Sequence, residues 1–378
     1  MRILFLSSHA DPSGAEICLL RLLKNISCEK NIELLVINSQ EGLLNEEIKK
    51  LNIKVTVIKG TYLKKIFLPS EIIYFFKKCN QLKKTIRYFN PDIIHAFTLP
   101  LARRVILLKL LNINYHIVGT IHDEFKKSHF GIFNFYLYKY SLNNYYKKII
   151  TVSNNTREIA NFNGINKNLT TTIYNGIEIK QPVSYQKIND KYTIGSFGRI
   201  TPSKGQLVLL EAIKIIGEKR LPIKFLIIGK PSLGIKGSLK YYKDIIEYIQ
   251  ANKLQNFVEI IEWTNNIDLY YEKLDLYVHS SLNHDPFPTV ILESMNYKIP
   301  VIATLNGGAK EQIIDNVTGY LIDINNPNLL ADKILKLYKD SGLSRSMGQR
   351  GYERLIEMFD IQRYAEDHLM LYKSIINK

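Results

Sequence analysis

The chain has 378 residues, 46% of them hydrophobic, and a mean hydropathy of -0.09, the composition of a soluble globular protein long enough for two α/β domains with separate cores. The net charge of +16 is uneven: residues 1–180 carry 26 Lys and Arg against 13 Asp and Glu, and residues 181–378 carry 25 against 22. Cys18, Cys28 and Cys79 form no disulfide framework or metal-like spacing, which suits a reducing cytoplasm, and no apolar run approaches the roughly 18 residues that span a bilayer.

In chain order, the opening apolar run reads as a buried strand and not a signal peptide, because Asp11, Pro12 and Glu16 follow it at once. Short β-rich runs then alternate with helical patterns, as parallel sheets with crossover helices require. The first half offers runs at 3–7, 33–38, 55–58, 92–97, 116–121, 148–152 and 171–174. The second offers 192–197, 223–228, 257–261, 274–279, 300–303 and 320–322. These runs are apolar on both faces, which predicts sheets covered on both sides. The polar stretch 178–191, with Pro182, is the expected linker, and 345–377 reads as one long helical pattern with no strand after it.

Four constellations fall at strand ends, the edge where open parallel sheets bind ligands. After the first strand, Asp11-Pro-Ser-Gly14-Ala-Glu16 leads into a helix; Gly14 permits close backbone approach and free amides there favour an anionic oxygen. There is no Gly-x-Gly-x-x-Gly or Walker A pattern at a strand-to-helix turn, which argues against a dehydrogenase or an ATPase. After the strand at 192–197 comes Gly198-Arg199-Ile-Thr-Pro202-Ser-Lys204-Gly205, two cations on a turn fixed by Pro202 and Gly205, suited to a diphosphate. Asp285-Pro-Phe-Pro-Thr-Val-Ile-Leu-Glu293 sets two carboxylates eight positions apart, one expected at a helix start to accept from ribose hydroxyls and the other to face a sugar. A Gly-rich loop follows, Leu305-Asn-Gly307-Gly308-Ala-Lys-Glu311. His122 ends the strand at 116–121, and His95 sits similarly in 92–97; a strand-end histidine is either a catalyst or a satisfied core residue. No His, Cys, Asp or Glu set has metal-ligand spacing, so no tightly bound metal is expected.

Taken together, these motifs resemble the retaining glycosyltransferases of family 4, along nearly the whole chain. Ser13-Gly-Ala-Glu16 is similar to the family's Gly-Gly-Ala-Glu loop, with Ser13 in place of its first Gly. Ile121-His122-Asp123, Thr151-Val-Ser153, Ile173-Tyr-Asn175-Gly176-Ile177, Gly198-Arg199 with Lys204-Gly205, the acidic motif, Gly307-Gly308 with Glu311, and Thr318-Gly319 follow in the family order. Asp285 stands where the family often has Glu.

The resemblance implies an α/β GT-B architecture of two doubly wound Rossmann-like domains facing across a cleft. Residues 1–180 would form the acceptor-binding domain, 181–359 the nucleotide-sugar-binding domain, and the last helix, about 360–378, would cross back to the first. It implies that Arg199 and Lys204 hold the donor diphosphate with help from the Gly14 amides. Glu293 would bind the ribose, Asp285 the sugar, and Gly307 and Gly308 would offer backbone amides. His122 would lie near the sugar's hydroxymethyl side, and Asn175 would join the donor site. The catalytic set is then His122, Asp285, Arg199 and Lys204, with neither a cofactor nor a metal, and a nucleoside-diphosphate sugar as substrate.

Acceptor choice falls to the basic half. Lys77, Lys78, Lys83, Lys84 and Arg87 interleave with Phe75, Phe76, Leu82 and Ile86. Lys126 and Lys127 precede Phe130, Phe133, Phe135, Tyr136, Tyr138 and Tyr140, closed by Lys147 and Lys148. Basic and aromatic residues together suit an anionic membrane surface, hence a peripheral protein on the inner leaflet with a lipid-linked saccharide acceptor; a core helix with a solvated face is the other reading. A GT-B-fold epimerase would share the donor site. A nucleic-acid partner would explain the charge, but no recognition module is present and an acidic pair opposes a phosphate-rich polymer.

Overall fold

The computed structural model describes residues 1–378 except 12, 60–68, 111–112, 181–190, 233, 265 and 378; most of the expected linker, Pro182 included, therefore lies outside the described residues. All thirteen strands read from the sequence form, with ends shifted by at most two residues. The first seven are β1 (Arg2–Ser7), β2 (Glu33–Asn38), β3 (Lys54–Val57), β4 (Ile93–Ala96), β5 (His116–Ile121), β6 (Lys148–Thr151) and β7 (Thr170–Thr172). The others are β8 (Tyr192–Phe197), β9 (Ile223–Ile228), β10 (Val258–Ile261), β11 (Leu276–His279), β12 (Val301–Thr304) and β13 (Gly319–Ile322).

They make two parallel sheets, ordered β3-β2-β1-β4-β5-β6-β7 and β10-β9-β8-β11-β12-β13. In each, the order reverses once, between β1 and β4 in the first and between β8 and β11 in the second. At such a reversal the loops beyond the two strands part to opposite faces and leave a crevice at the carboxyl edge.

The chain divides into two compact units, 1–176 with 361–378, and 177–360. In the first, the apolar run of each strand splits between two cores by simple alternation. Leu4 and Leu6 of β1 face one core with Leu82, Ile86, Val105 and Phe135. Ile3 and Phe5 face the other with Leu19, Leu22, Leu23 and Tyr372. In the second unit Ile194, Phe225 and Ile227 pack under Leu209, Ile213, Ile245 and Leu330. A strand with polar residues on either face could not be sealed this way, which is why the sequence reads apolar throughout.

The long helical pattern 345–377 is two helices, Ser341–Met358 and Ile361–Ile376. They separate because the Phe359 carbonyl accepts from the Ile177 amide at 3.0 Å, and Ile177 bridges Asp360. Helix Ile361–Ile376 belongs to the first unit and packs on helix Gly14–Ile26.

Helix Ile361–Ile376 is fastened by polar groups inside the core. Tyr372 Oη lies 2.6 Å from His95 Nδ1, and His95 Nε2 lies 2.7 Å from Thr120 Oγ1. His95 is thus a satisfied core residue, the second of the two readings. His368 stacks on it with ring centroids 6.0 Å apart, while its Nδ1 donates to the Tyr364 carbonyl at 2.8 Å. Burial drives the pKa of His95 well below its usual value, His368 down to about 4 and His122 down to about 3, and His368 adds to the fall at His95 and His122. The folded protein therefore refuses protons that the unfolded chain accepts below about pH 6.5. Stability measured by urea titration should be flat above about pH 6.5 and fall below it, approaching ~1.4 kcal/mol per pH unit for each of the three histidines until about pH 4. A profile unchanged across that window would contradict the burial of these rings in neutral form.

Candidate functional site

Five of the residues singled out in the second half gather at the carboxyl edge of its sheet, around the reversal between β8 and β11. The loop after β8 holds Gly198 to Gly205 and leads into helix Gln206–Gly217. Pro202–Lys204 forms a 3-10 turn, and Gly205, at φ +67°, starts the helix in a conformation that side chains disfavour. A Cβ on Gly205 would also stand 2.1 Å from the Ser280 carbonyl, so glycine is what lets this loop lie against the one after β11. Ser280 Oγ donates to the carbonyls of Lys204 and Gly205 and Ser281 Oγ to that of Ser203, each at 3.1 Å, while the Leu282 amide donates to Ser203 at 2.8 Å.

Clamped this way, Lys204 Nζ forms an ion pair with Asp285 Oδ2. Their side chains are 24% and 16% exposed, so water screens the pair only in part. His279, the last residue of β11, is buried and brings its Nε2 to 3.3 Å from the same carboxylate oxygen. Burial alone would raise the Asp285 pKa; the Lys204 charge and the His279 contact outweigh it and hold the carboxyl well below the usual carboxylate range. His279 itself is pushed down, first by burial and then by Lys204, against the pull of Asp285.

The Gly-rich loop after β12 closes on the same place. Gly308 N–H donates to the Asp285 carbonyl at 2.8 Å. A Cβ on Gly307 would meet that carbonyl at 2.1 Å and one on Gly308 would meet the Pro286 carbonyl at 2.2 Å, and Gly307 has φ +60°. Both glycines are thus required by loop-to-loop packing before any ligand is considered.

Glu293 departs from the expectation of a carboxylate at a helix start. Its helix is Thr289–Asn296, so Glu293 sits one turn in, where the first-turn amides are out of its reach. It accepts instead from Tyr271 Oη at 3.0 Å. Tyr271 packs edge-on to Phe197, the residue before Gly198-Arg199, with centroids 4.8 Å apart, which ties Glu293 to the end of β8. Arg199 is exposed, with no ion pair among the described residues.

His122, Gly14 and Asn175 lie in the other unit. Nε2 of His122 is buried without a partner among the described residues, while a hydrogen bond with the Phe97 backbone occupies the other ring nitrogen. Gly14 opens helix Gly14–Ile26 in free space: a Cβ there would meet nothing within 4 Å, so the fold itself does not demand glycine. Asn175 is buried, its Oδ1 without a hydrogen-bond partner among the described residues. His279 and Tyr271 escaped the sequence reading. The strand-end rule that selected His122 and His95 applies equally to His279; Tyr271 lies far from Glu293 in the chain and carries no comparable signal.

Residues 178–354 match the family described as Glycosyl transferases group 1, and residues 12–181 match Glycosyltransferase Family 4. The chain belongs to these glycosyltransferases. The capsular polysaccharide biosynthesis glycosyltransferase CapM of Staphylococcus aureus is 28% identical over 194 residues, covering 51% of this chain and 49% of that protein. The lipopolysaccharide 1,2-N-acetylglucosaminetransferase of Salmonella typhimurium is 27% identical, covering 44% and 46%. The chain spans about half the length of such relatives. Among solved structures, Anabaena Alr3699/HepE in complex with UDP-glucose superposes with a TM-score of 0.85 over 99% of this chain and 100% of that one, at 23% identity, and shares the GT-B fold.

The glycine contacts separate two family positions. Gly307→Ala should lower stability by about 1–3 kcal/mol, through backbone strain and the clash with Asp285, whereas Gly14→Ala should fall within about 0.5 kcal/mol of the parent. Denaturant titration of the two variants checks the contrast, and equal effects would contradict the packing described.

Proposed function

We propose that the protein is a retaining, metal-independent glycosyltransferase that moves a sugar from a nucleoside-diphosphate sugar to a saccharide acceptor in bacterial cell-surface polysaccharide or glycoconjugate synthesis. The observation that carries this reading is the meeting of Lys204, Asp285, Gly307 and Gly308 at the strand-order reversal of the second sheet, with Glu293 tied through Tyr271 to Phe197 at the end of β8. The relatives named above are transferases of capsule and lipopolysaccharide assembly, which favours transfer over epimerisation.

In the proposed reaction the anomeric C–O bond of the donor breaks while the acceptor hydroxyl forms the new glycosidic bond on the same face. Negative charge grows on the departing diphosphate, and Arg199 and Lys204 accelerate the step if they bind it more tightly in the transition state than in the ground state. The acceptor proton passes to that diphosphate. Glu293, fixed by Tyr271, accepts from the ribose hydroxyls, and Asp285 and the Gly307-Gly308 backbone meet the sugar. His122, kept neutral by burial and with no partner for its Nε2 among the described residues, is suited to accept from a sugar hydroxyl.

Thermal-shift screening against UDP-, GDP-, ADP- and CDP-sugars tests the donor, since a ligand that binds only the native state raises the melting temperature. Lys204→Ala should lower kcat/KM by at least about 100-fold. It should also cost about 1–3 kcal/mol of stability, because Asp285 is left without its cation. Adding Asp285→Asn should restore the stability and not the turnover. Near-normal transfer by Lys204→Ala would end the assignment.

We further propose that the protein works in the cytoplasm, peripherally on the inner face of the membrane, with a lipid-linked acceptor. No helix among the described residues is long and apolar enough to cross a membrane. Of the aromatic stretch in the basic half, Phe135 and Tyr138 are core, while Phe133, Tyr136 and Tyr140 are more than half exposed along one face of helix Ile132–Tyr145, with Ile132 beside them. Leu82 and Ile86 are core as well, and Phe76 is exposed. Residues 126–148 contain five lysines and no Asp or Glu, a match for anionic headgroups. The triple change Phe133→Ser, Tyr136→Ser, Tyr140→Ser should abolish sedimentation with phosphatidylglycerol vesicles while leaving the melting temperature within a few degrees. Unchanged sedimentation would remove this face from the proposal.

A further inference from the structure

Asp285 Oδ2 is shared by two donors of different kinds. Lys204 Nζ is paired with it, and His279 Nε2 waits at 3.3 Å, off the line of a good hydrogen bond and without another partner among the described residues. The donor reading, on which this inference rests, asks Lys204 to serve the diphosphate and Asp285 to serve the sugar. The two are not free to do so while they neutralise each other. Turning Lys204 toward the diphosphate leaves a largely buried carboxylate uncompensated, which is costly unless another positive charge replaces it.

His279, with its Nε2 3.3 Å from the same carboxylate oxygen, is placed to supply that charge. Asp285, from the loop after β11, and Lys204, from the loop after β8, are the charged groups acting on it, with opposite sign. Its register neighbour on β12 is Ala303, which carries no charge. In the unliganded arrangement burial and Lys204 keep the ring neutral. Withdrawal of Lys204 removes one opposing influence and leaves the attraction of Asp285 unbalanced.

We propose that His279 is a positioning residue that takes a proton from solvent as Lys204 leaves Asp285 for the donor diphosphate, so that sugar-nucleotide binding is linked to uptake of one proton. The imidazolium then holds Asp285 Oδ2 in line, keeping the carboxylate ionised and aimed at the sugar. The charge of the triad is conserved: one cation departs to the ligand and one arrives from water. Binding therefore strengthens as pH falls.

The test is calorimetric titration of the whole chain with UDP-glucose, whose diphosphate diester keeps its charge across neutral pH, in buffers of differing ionisation enthalpy. The expected result is uptake approaching one proton per bound donor and a dissociation constant that tightens by up to about tenfold per pH unit between about pH 8 and pH 6. His279→Gln keeps a neutral donor beside Asp285, and it should bind with a flat pH profile and no proton uptake. A residue that merely fills space would weaken binding equally at every pH. Binding without proton uptake in the unaltered protein overturns the inference and leaves the donor assignment standing, and so does a pH slope that persists in His279→Gln. Should His279→Gln fail to fold, the buffer series on the unaltered protein decides alone. If UDP-glucose and its GDP, ADP and CDP counterparts all fail to bind, the donor reading itself fails and this inference with it.

Discussion

Lys204 and Asp285 stand 81 positions apart in the chain, yet one ion pair joins them. What makes that pair possible is backbone, not charge. Gly205 lies against the Ser280 carbonyl, Gly307 against that of Asp285, and Gly308 against that of Pro286, each closer than any side chain allows. Ser280 and Ser281 then donate to the carbonyls of Ser203, Lys204 and Gly205, tying the β8 loop to the loop after β11. Three loops are locked into one wall, and the charged groups it carries inherit their positions from the lock.

This wall sits at the strand-order reversal, where the geometry of a doubly wound sheet leaves a crevice. Helices depart to opposite faces after β8 and β11, so the loops beyond those two strands are not covered by a neighbouring crossover. The same reversal occurs in the first sheet between β1 and β4, beside the loop that leads to Gly14. The two halves thus repeat one design, but they differ in what secures them. The second relies on glycine-mediated loop contacts, whereas the first uses a polar chain through its core, Thr120 to His95 to Tyr372, that anchors the returning C-terminal helix.

Buried neutral histidines recur in both units and serve different ends. His95 is satisfied on both nitrogens and acts as a fastener. His122, within a family motif, and His279, at the end of β11, each keep a buried nitrogen without a hydrogen bond among the described residues. Position at a strand end is common to all three and does not separate them. Their partners do: Tyr372 reaches His95 from the last helix, whereas Asp285 reaches His279 from the loop that directly follows its strand.

The strands and their parallel arrangement were legible in the order of the residues, because burial on both faces leaves continuous apolar runs. The cations Arg199 and Lys204, the carboxylates Asp285 and Glu293 and the paired glycines were legible for a similar reason: each lies in a short local motif. What needed tertiary structure was every relation between distant segments. The division of 345–377 into two helices depends on an amide from Ile177, the place of Glu293 depends on Tyr271, and the sorting of aromatic residues in 130–140 into core and surface depends on which face the sheet covers. That Lys204 is held by Asp285, with His279 behind them, could not be read locally, since a contact between loops is set by how two crossovers pack and leaves no periodicity in the chain.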